Sequence, residues 1–298
     1  MENTFRWVLV TAIAPIAWGT NYFVTHEYLP AGHPLYGAVF RALPAGLLLL
    51  CIARRLPRGA WWWRSAVLGI CNMSAFFALI YVAAQLLPVS LASTIMSASP
   101  VTMALFAWAL LAERPTLPVI TGAAAGLAGV WLMLGAGTST VDLRGVAASI
   151  AALLMSSCGY VLTKKWGRAA SPLATTAWQL TAGGLALIPF AVLIEGAPPA
   201  IDLPAFVGFA YVGLIATALA FTAWFTGLRH LPATTVGLIG LLNPVTGVLL
   251  GTTLSGEVLT LEQLIGLALV LLGITLSRTP RSAAGRTRWR ALRAVRAR

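Results

Sequence analysis

The sequence predicts an all-α polytopic membrane protein: ten transmembrane helices arranged as two inverted five-helix repeats. Three observations predict it. Of the 298 residues, 59% are hydrophobic and only 9% are charged, against roughly 25% charged in a soluble domain. The apolar residues fall into ten stretches, each near the ~20 residues that cross a bilayer as a helix. The second five stretches resemble the first five. So few charges cannot coat a water-facing surface, and lipid is the solvent that suits the remainder.

In chain order the first five stretches are 6–24, opening after Arg6; 34–54, opened by Pro34 and closed by Arg54 and Arg55; 63–84, behind Trp61, Trp62 and Trp63; 89–111, after Pro88; and 117–136, rich in glycine. The second five are 144–164, closed by Lys164 and Lys165; 172–194, opened by Pro172; 203–227, between Asp202 and Arg229; 233–253, after Pro232; and 262–278, ahead of an arginine-rich tail. The first stretch could pass for a signal-peptide core, but only Arg6 precedes it and the repeat needs it, so a retained helix is expected.

The net charge of +12 does not point to nucleic acid, because of where the charge lies. Eight of the 20 basic residues crowd into 278–298, and with a cytoplasmic N-terminus 18 of the 20 fall on the cytoplasmic side. Six of the eight acids, Glu27, Asp142, Glu195, Asp202, Glu257 and Glu262, fall on the other. This is the positive-inside asymmetry of a multi-pass protein of a bacterial-type inner (plasma) membrane, with both termini cytoplasmic. The expected partner is the lipid bilayer, with no nucleic acid, and the tail suits anionic headgroups. Cys51, Cys71 and Cys158 have unrelated spacings and form neither a disulfide framework nor a metal pattern.

The repeat is the most informative feature. Sliding the chain by 144 residues pairs 88–132 with 232–276, with 15 of 45 positions identical. Pro100-Val101-Thr102 meets Pro244-Val245-Thr246, Glu113 meets Glu257, and Gly122 and Gly129 meet Gly266 and Gly273. Earlier the offset is 138, pairing Pro34-Leu35 with Pro172-Leu173 and Gly46-Leu47 with Gly184-Leu185. Residues 1–136 form the first repeat, 137–278 the second and 279–298 the basic cytoplasmic tail. Five spans are an odd number, so the second repeat enters the membrane with the opposite sense. Inverted repeats are common in secondary transporters, with the site near the midplane between them.

Ala17-Trp18-Gly19, the two Pro-Val-Thr segments, Glu113 and Glu257, and the glycine-rich spans after them resemble the EamA-type members of the drug/metabolite transporter superfamily. The resemblance covers residues 6–278. Within that superfamily the chain is most similar to the aromatic amino acid exporters. This implies export of Phe, Tyr, Trp and other neutral amino acids by alternating access without ATP. Another small metabolite (a nucleobase, polyamine or sugar) is the alternative. The resemblance also implies peripheral fifth and tenth spans. The second repeat departs from the pattern, with Cys158-Gly159 where the first has Trp18-Gly19. A monomer is expected, a dimer through the Gly122/Gly126 face being the alternative.

Enzyme signatures are absent. There is no Walker lysine motif and no Gly-x-Ser-x-Gly elbow, and the zinc-protease pattern begun by His26-Glu27 meets Pro30 where a second histidine is required. A membrane-embedded lipid-modifying enzyme would need a convergent set of His, Asp, Glu or Cys. None is expected, nor any cofactor or metal.

Polar and aromatic residues inside spans are the candidate substrate contacts: Trp18, Asn21, Tyr22, Phe77, Tyr81, Ser97, Ser99, Tyr160, Trp178, Gln179, Trp224 and Asn243. Rings would take an aromatic side chain, while amides and hydroxyls would hold ammonium and carboxylate. Candidate hinges are Gly19, Pro44, Pro100, Gly159 and Pro244. An intramembrane proline removes a backbone hydrogen bond, which is tolerated only where protein or a wet cavity satisfies the freed carbonyl. Arg41, whose repeat counterpart is Gln179, is the one basic residue within a span. It either serves the site or snorkels to the nearby external interface. No acid is expected at a midplane, which favours a facilitator or exchanger over a proton-driven carrier.

Overall fold

The structure, a computed structural model, describes residues 2–96, 98–112, 117–135, 141–166, 170–231, 236, 239–240, 242–254, 256 and 258–276. Ser97, Glu113, Glu257 and the tail lie outside them, as does the side chain of Pro100. The regular secondary structure of the described residues is all helix, with no strand. The first half comprises α1 (Glu2–Tyr28), α2 (Pro34–Ala53), α3 (Trp61–Gly69) continuing through a π turn (Ile70–Ser74) into α4 (Ala75–Leu86), then α5 (Val89–Met96), α6 (Ser99–Leu111) and α7 (Leu117–Gly135). The second comprises α8 (Leu143–Trp166), α9 (Pro172–Phe190) with a terminal π turn (Ala191–Glu195), α10 (Leu203–Gly213) continuing through a π turn (Leu214–Leu219) into α11 (Ala220–His230), then α12 (Leu242–Thr253) and α13 (Leu261–Leu276).

Seven helical stretches among the described residues are long and apolar enough to cross a membrane: 5–28, 34–53, 61–86, 91–111, 143–166, 172–195 and 203–230. A shorter apolar helix covers Leu261–Gly273. The expected stretch 233–253 contributes α12, whose 12 residues extend only about 18 Å. The exterior carries large apolar side chains such as Trp131, Leu193 and Leu203, each more than two-thirds exposed. The chain is a multi-pass membrane protein, and its outward face is what lipid requires.

Helix starts are chemically marked. Ser171 and Asp202 cap α9 and α10, accepting from Ala174 N at 3.3 Å and Ala205 N at 2.8 Å, with proline in the first turn each time. Asp142 pairs with Arg144 at 2.7 Å ahead of α8. The prolines occupy two kinds of position. Pro15 and Pro44 sit inside continuous helices, but Pro100 lies in the first turn of α6 and Pro244 in that of α12. The helix stops and restarts at both places, and in a first turn the missing N–H leaves no bond unmade.

Glycines set the helix contacts. α2 packs against α9, and α7 against α13. A Cβ at Gly46 would sit 2.6 Å from the Thr181 nitrogen, and one at Gly184 2.9 Å from Leu43 Cβ. Gly273 lies directly on Gly122 and Gly126, so these glycine faces of α7 and α13 meet each other. α1 packs on α11 and α12, while α8 packs on α4 and α6. Gly19 touches Asn243 and Thr246, and Gly159 touches Asn72. Both candidate hinge glycines are therefore points of close helix approach.

Candidate functional site

Where α1, α2, α4, α8 and α11 converge, the breaks before α6 and α12 leave a small cavity. Trp18, Asn21, Tyr22, Arg41, Phe76, Ile80, Met96, Ser99, Ser156, Tyr160, Trp224, Gly240 and Asn243 line it. Its volume is about 40 Å³, room for about three waters and far below the roughly 300 Å³ and upward of a ligand pocket. The walls are contracted on one another. Trp18 packs 5.0 Å from Phe221 and 5.1 Å from Trp224, and Tyr160 lies 6.0 Å from Trp224.

The polar groups of this cavity are unevenly satisfied. Trp18 donates its indole N–H to Ala216 O at 3.1 Å, a carbonyl of the π turn 214–219. A π turn inserts an extra residue into the helix and frees such carbonyls for other donors. Arg41 donates from Nε to Thr217 Oγ1 at 2.6 Å and from Nη2 to the same Ala216 O at 3.3 Å. Its guanidinium lies 4.0 Å over the Phe77 ring. Arg41 is only 6% exposed, so the snorkelling alternative is set aside: the side chain turns inward. No carboxylate pairs with it among the described residues. Burying an ion costs several kcal/mol, which a hydroxyl, a carbonyl and a ring face offset only in part.

Two further spaces flank the cavity. Toward the end bearing Glu27, Glu195 and Asp202 (the acidic end) lies a pocket of about 10 Å³, lined by Thr25, Leu29, Gly37, Ala38, Arg41, Phe77, Tyr81 and Val212. Arg41 and Phe77 stand between it and the cavity. That end is knit shut. Leu35 N and Tyr36 N donate to the Glu195 carboxylate at 2.6 and 2.9 Å, and Tyr36 Oη donates to Gly196 O at 2.7 Å. Gln85 donates to Thr25 O at 2.7 Å, and Thr20 bonds Tyr211 at 2.6 Å. Toward the basic end a cleft of about 360 Å³ opens, lined by Thr163, Lys164, Ala170, Pro172, Thr175, Phe225, Leu228 and Arg229. Phe225 packs edge-on against Tyr160 at 6.0 Å, so these rings separate cleft from cavity.

Seven of the twelve candidate contacts line the cavity: Trp18, Asn21, Tyr22, Ser99, Tyr160, Trp224 and Asn243. Phe77 lies behind Arg41, and Tyr81 bonds Pro30 O near the acidic end. Trp178 and Gln179 take no part in the lining. Trp178 donates to Arg55 O at 2.6 Å and packs on Trp61 at the basic end, and Gln179 accepts from Asn72 at 2.8 Å. The lining residues not anticipated are Phe76, Ile80, Met96, Ser156 and Gly240, besides Arg41. Phe76 and Ile80 precede Phe77 and Tyr81 by one position. The π turn at 70–74, directly upstream, adds one residue and turns the following helix by about 100°, which a uniform 3.6-residue reading does not register.

Over 259 residues the chain is 36% identical to Protein PecM of Dickeya dadantii (strain 3937), covering 86% of this chain and 87% of that one. It is 29% identical over 281 residues to the uncharacterized transporter YwfM of Bacillus subtilis (strain 168), covering 92% and 94%. A solved crystal structure shares the fold, with TM-score 0.69 and 21% identity, over 91% of this chain and 96% of the other. The EamA-like transporter family matches twice, over residues 5–135 and 143–279, and the chain belongs to that family of transporters.

Proposed function

We infer that the protein exports amino acids, aromatic ones foremost, across a bacterial-type inner membrane, as a facilitator or exchanger. The observation that carries this is the composition of the cavity: Trp18, Tyr22, Tyr160 and Trp224 supply ring faces, while Asn21, Ser99 and Asn243 supply amide and hydroxyl groups. That is the chemistry of a zwitterion with an aromatic side chain. Both termini are read as cytoplasmic from the basic clusters, so the cleft of Lys164 and Arg229 opens on the cytoplasm and the Glu195 closure faces outward.

Alternating access between ten spans in two inverted halves is supported by the exchange symmetry of the packing. α1 on α11 is mirrored by α8 on α4, and α1 on α12 by α8 on α6. α2 and α9 are counterparts that pack on each other, as are α7 and α13. The π turns at Ile70 and Leu214 start at the 144-residue repeat offset. Opening one end while the other closes would widen the 40 Å³ cavity to admit substrate.

The test is uptake of radiolabelled tryptophan and phenylalanine into proteoliposomes holding the purified protein, with leucine, a polyamine and a nucleobase as competitors. Saturable uptake, accelerated by unlabelled amino acid inside and indifferent to an imposed pH gradient, is expected. Competition by the polyamine or nucleobase alone moves the substrate to that class. No amino-acid uptake overturns the reading.

A further inference from the structure

We propose that Arg41 is the ligand of a substrate carboxylate, so that the central cavity selects for carboxylates and rejects amines that lack one. The proposal deepens the reading above and rests on it for the location of the site.

The argument begins with unmatched chemistry. A guanidinium carries five N–H donors, and Arg41 directs Nε to Thr217 Oγ1 and Nη2 to Ala216 O. Neither acceptor carries a formal charge. The cation is nine-tenths buried, lines the cavity and has no anionic partner among the described residues. Tyr22 and Tyr160, on the same cavity, are neutral phenols at ordinary pH. With no anion of the described residues paired to the cation, an incoming carboxylate would serve as its counter-ion, and a planar guanidinium binds one bidentately.

Three other polar atoms of the same cavity are also unpartnered. Trp224 Nε1, Asn21 Oδ1 and Asn243 Oδ1 make no protein hydrogen bond, although their residues are 3%, 2% and 9% exposed. The indole is a donor and suits a carboxylate oxygen beside Arg41. The two amide oxygens are acceptors and suit an ammonium. Donors and acceptors thus match the two ends of an α-amino acid, but only the carboxylate end meets a full charge. The cleft toward the basic end carries Lys164 and Arg229 on its wall, an electrostatic approach of the same sign. A monoamine would meet Arg41 as a like charge in a dry site and be repelled.

The experiment measures direct binding of three radiolabelled probes to the purified full-length protein in detergent: phenylalanine, 3-phenylpropionate (the same skeleton without the amine) and phenethylamine (without the carboxylate). The expected order is phenylalanine tightest, then 3-phenylpropionate, with phenethylamine on the order of a hundredfold weaker than phenylalanine. Arg41→Gln removes most 3-phenylpropionate binding, and Arg41→Lys restores part of it. Equal binding of phenethylamine and 3-phenylpropionate, no binding of any probe, or a folded Arg41→Gln that keeps its carboxylate binding overturns the proposal. The probe series uses the parent protein alone, so it decides even if every variant fails to fold. The two readings fail separately. If 3-phenylpropionate binds and phenylalanine does not, the amino-acid assignment falls and the carboxylate site stands. If phenylalanine and phenethylamine bind alike while 3-phenylpropionate does not, the reverse holds.

Discussion

The π turns of the two halves are one device in two chemistries. In the first, Ile70–Ser74, the side chain arriving from the facing helix is Gln179 of α9: Asn72 donates to it at 2.8 Å, and Ser74 Oγ donates to Gly183 O at 2.7 Å. In the second, Leu214–Leu219, the arriving side chain is Arg41 of α2, the repeat counterpart of Gln179. The neutral seam is packed tight: a Cβ on Gly183 would lie 2.8 Å from Gly69 O, and one on Gly159 would overlap the Asn72 amide. The charged seam opens into the cavity. The two amides share one N–H···O bond and leave Asn72 Oδ1 and Gln179 Nε2 without partners, but they bury no formal charge, whereas a buried guanidinium without an anion is the costlier case. The first seam therefore holds helices together, while the second presents a group that awaits a partner.

Moving the charge breaks this comparison most severely. Gln179→Arg puts an ion into a seam with neither room nor anion, and is expected to destabilise by about 3 kcal/mol or more. Arg41→Gln, which makes the second seam resemble the first, removes a buried ion and should leave stability within about 1 kcal/mol of the parent or above it. Thermal unfolding of both variants in the same detergent ranks them. A Gln179→Arg protein as stable as the parent would mean that the seams are equivalent.

A smaller effect sharpens the packing half of the contrast. Gly159→Ala drives a methyl into Asn72, an overpacking expected to cost about 1–3 kcal/mol. Because the clash is with a side chain rather than backbone, Asn72→Ala in the same molecule should recover part of that loss. The double-mutant cycle then gives a coupling of about 1 kcal/mol. Strict additivity would show that the π turn 70–74 and α8 do not meet at this glycine.

How much of this was legible follows from what a linear pattern encodes. Depth is encoded: apolar runs and their charged ends put Trp18, Asn21, Tyr22, Tyr160, Trp224 and Asn243 within spans, and all six line the cavity. Azimuth is encoded only where the helix is regular. Trp178 and Gln179 lie within a predicted span but face α3 and its π turn, and the turn at 70–74 exchanges Phe77 and Tyr81 for Phe76 and Ile80. A proline announces that the backbone is special without saying how. Pro44 is inside a helix, while Pro100 and Pro244 begin one. Arg41 was ambiguous because its distance from the interface permits snorkelling. Its direction is decided by Thr217 and the freed Ala216 carbonyl, which lie more than 170 residues away in the chain.

The mildest expected effect tests whether the acidic end is a gate or a fixed lid. The Glu195 carboxylate, at the end of α9, caps the first turn of α2 by accepting from Leu35 N and Tyr36 N. Those N–H groups have no acceptor within their own helix, and their bonds are strengthened by the carboxylate charge and the positive end of the helix dipole. Glu195→Gln keeps the shape and one acceptor oxygen but loses the charge, at about 1 kcal/mol. That loss should raise the population open at this end by roughly fivefold. With Cys51, Cys71 and Cys158 replaced, Ala38→Cys places a thiol in the 10 Å³ pocket behind the closure. A membrane-impermeant maleimide added outside should label it several-fold faster in the Glu195→Gln background. An unchanged rate would mean that these two bonds only fasten α2 to α9, and that the end opens elsewhere, at the Thr20–Tyr211 or Gln85–Thr25 contacts.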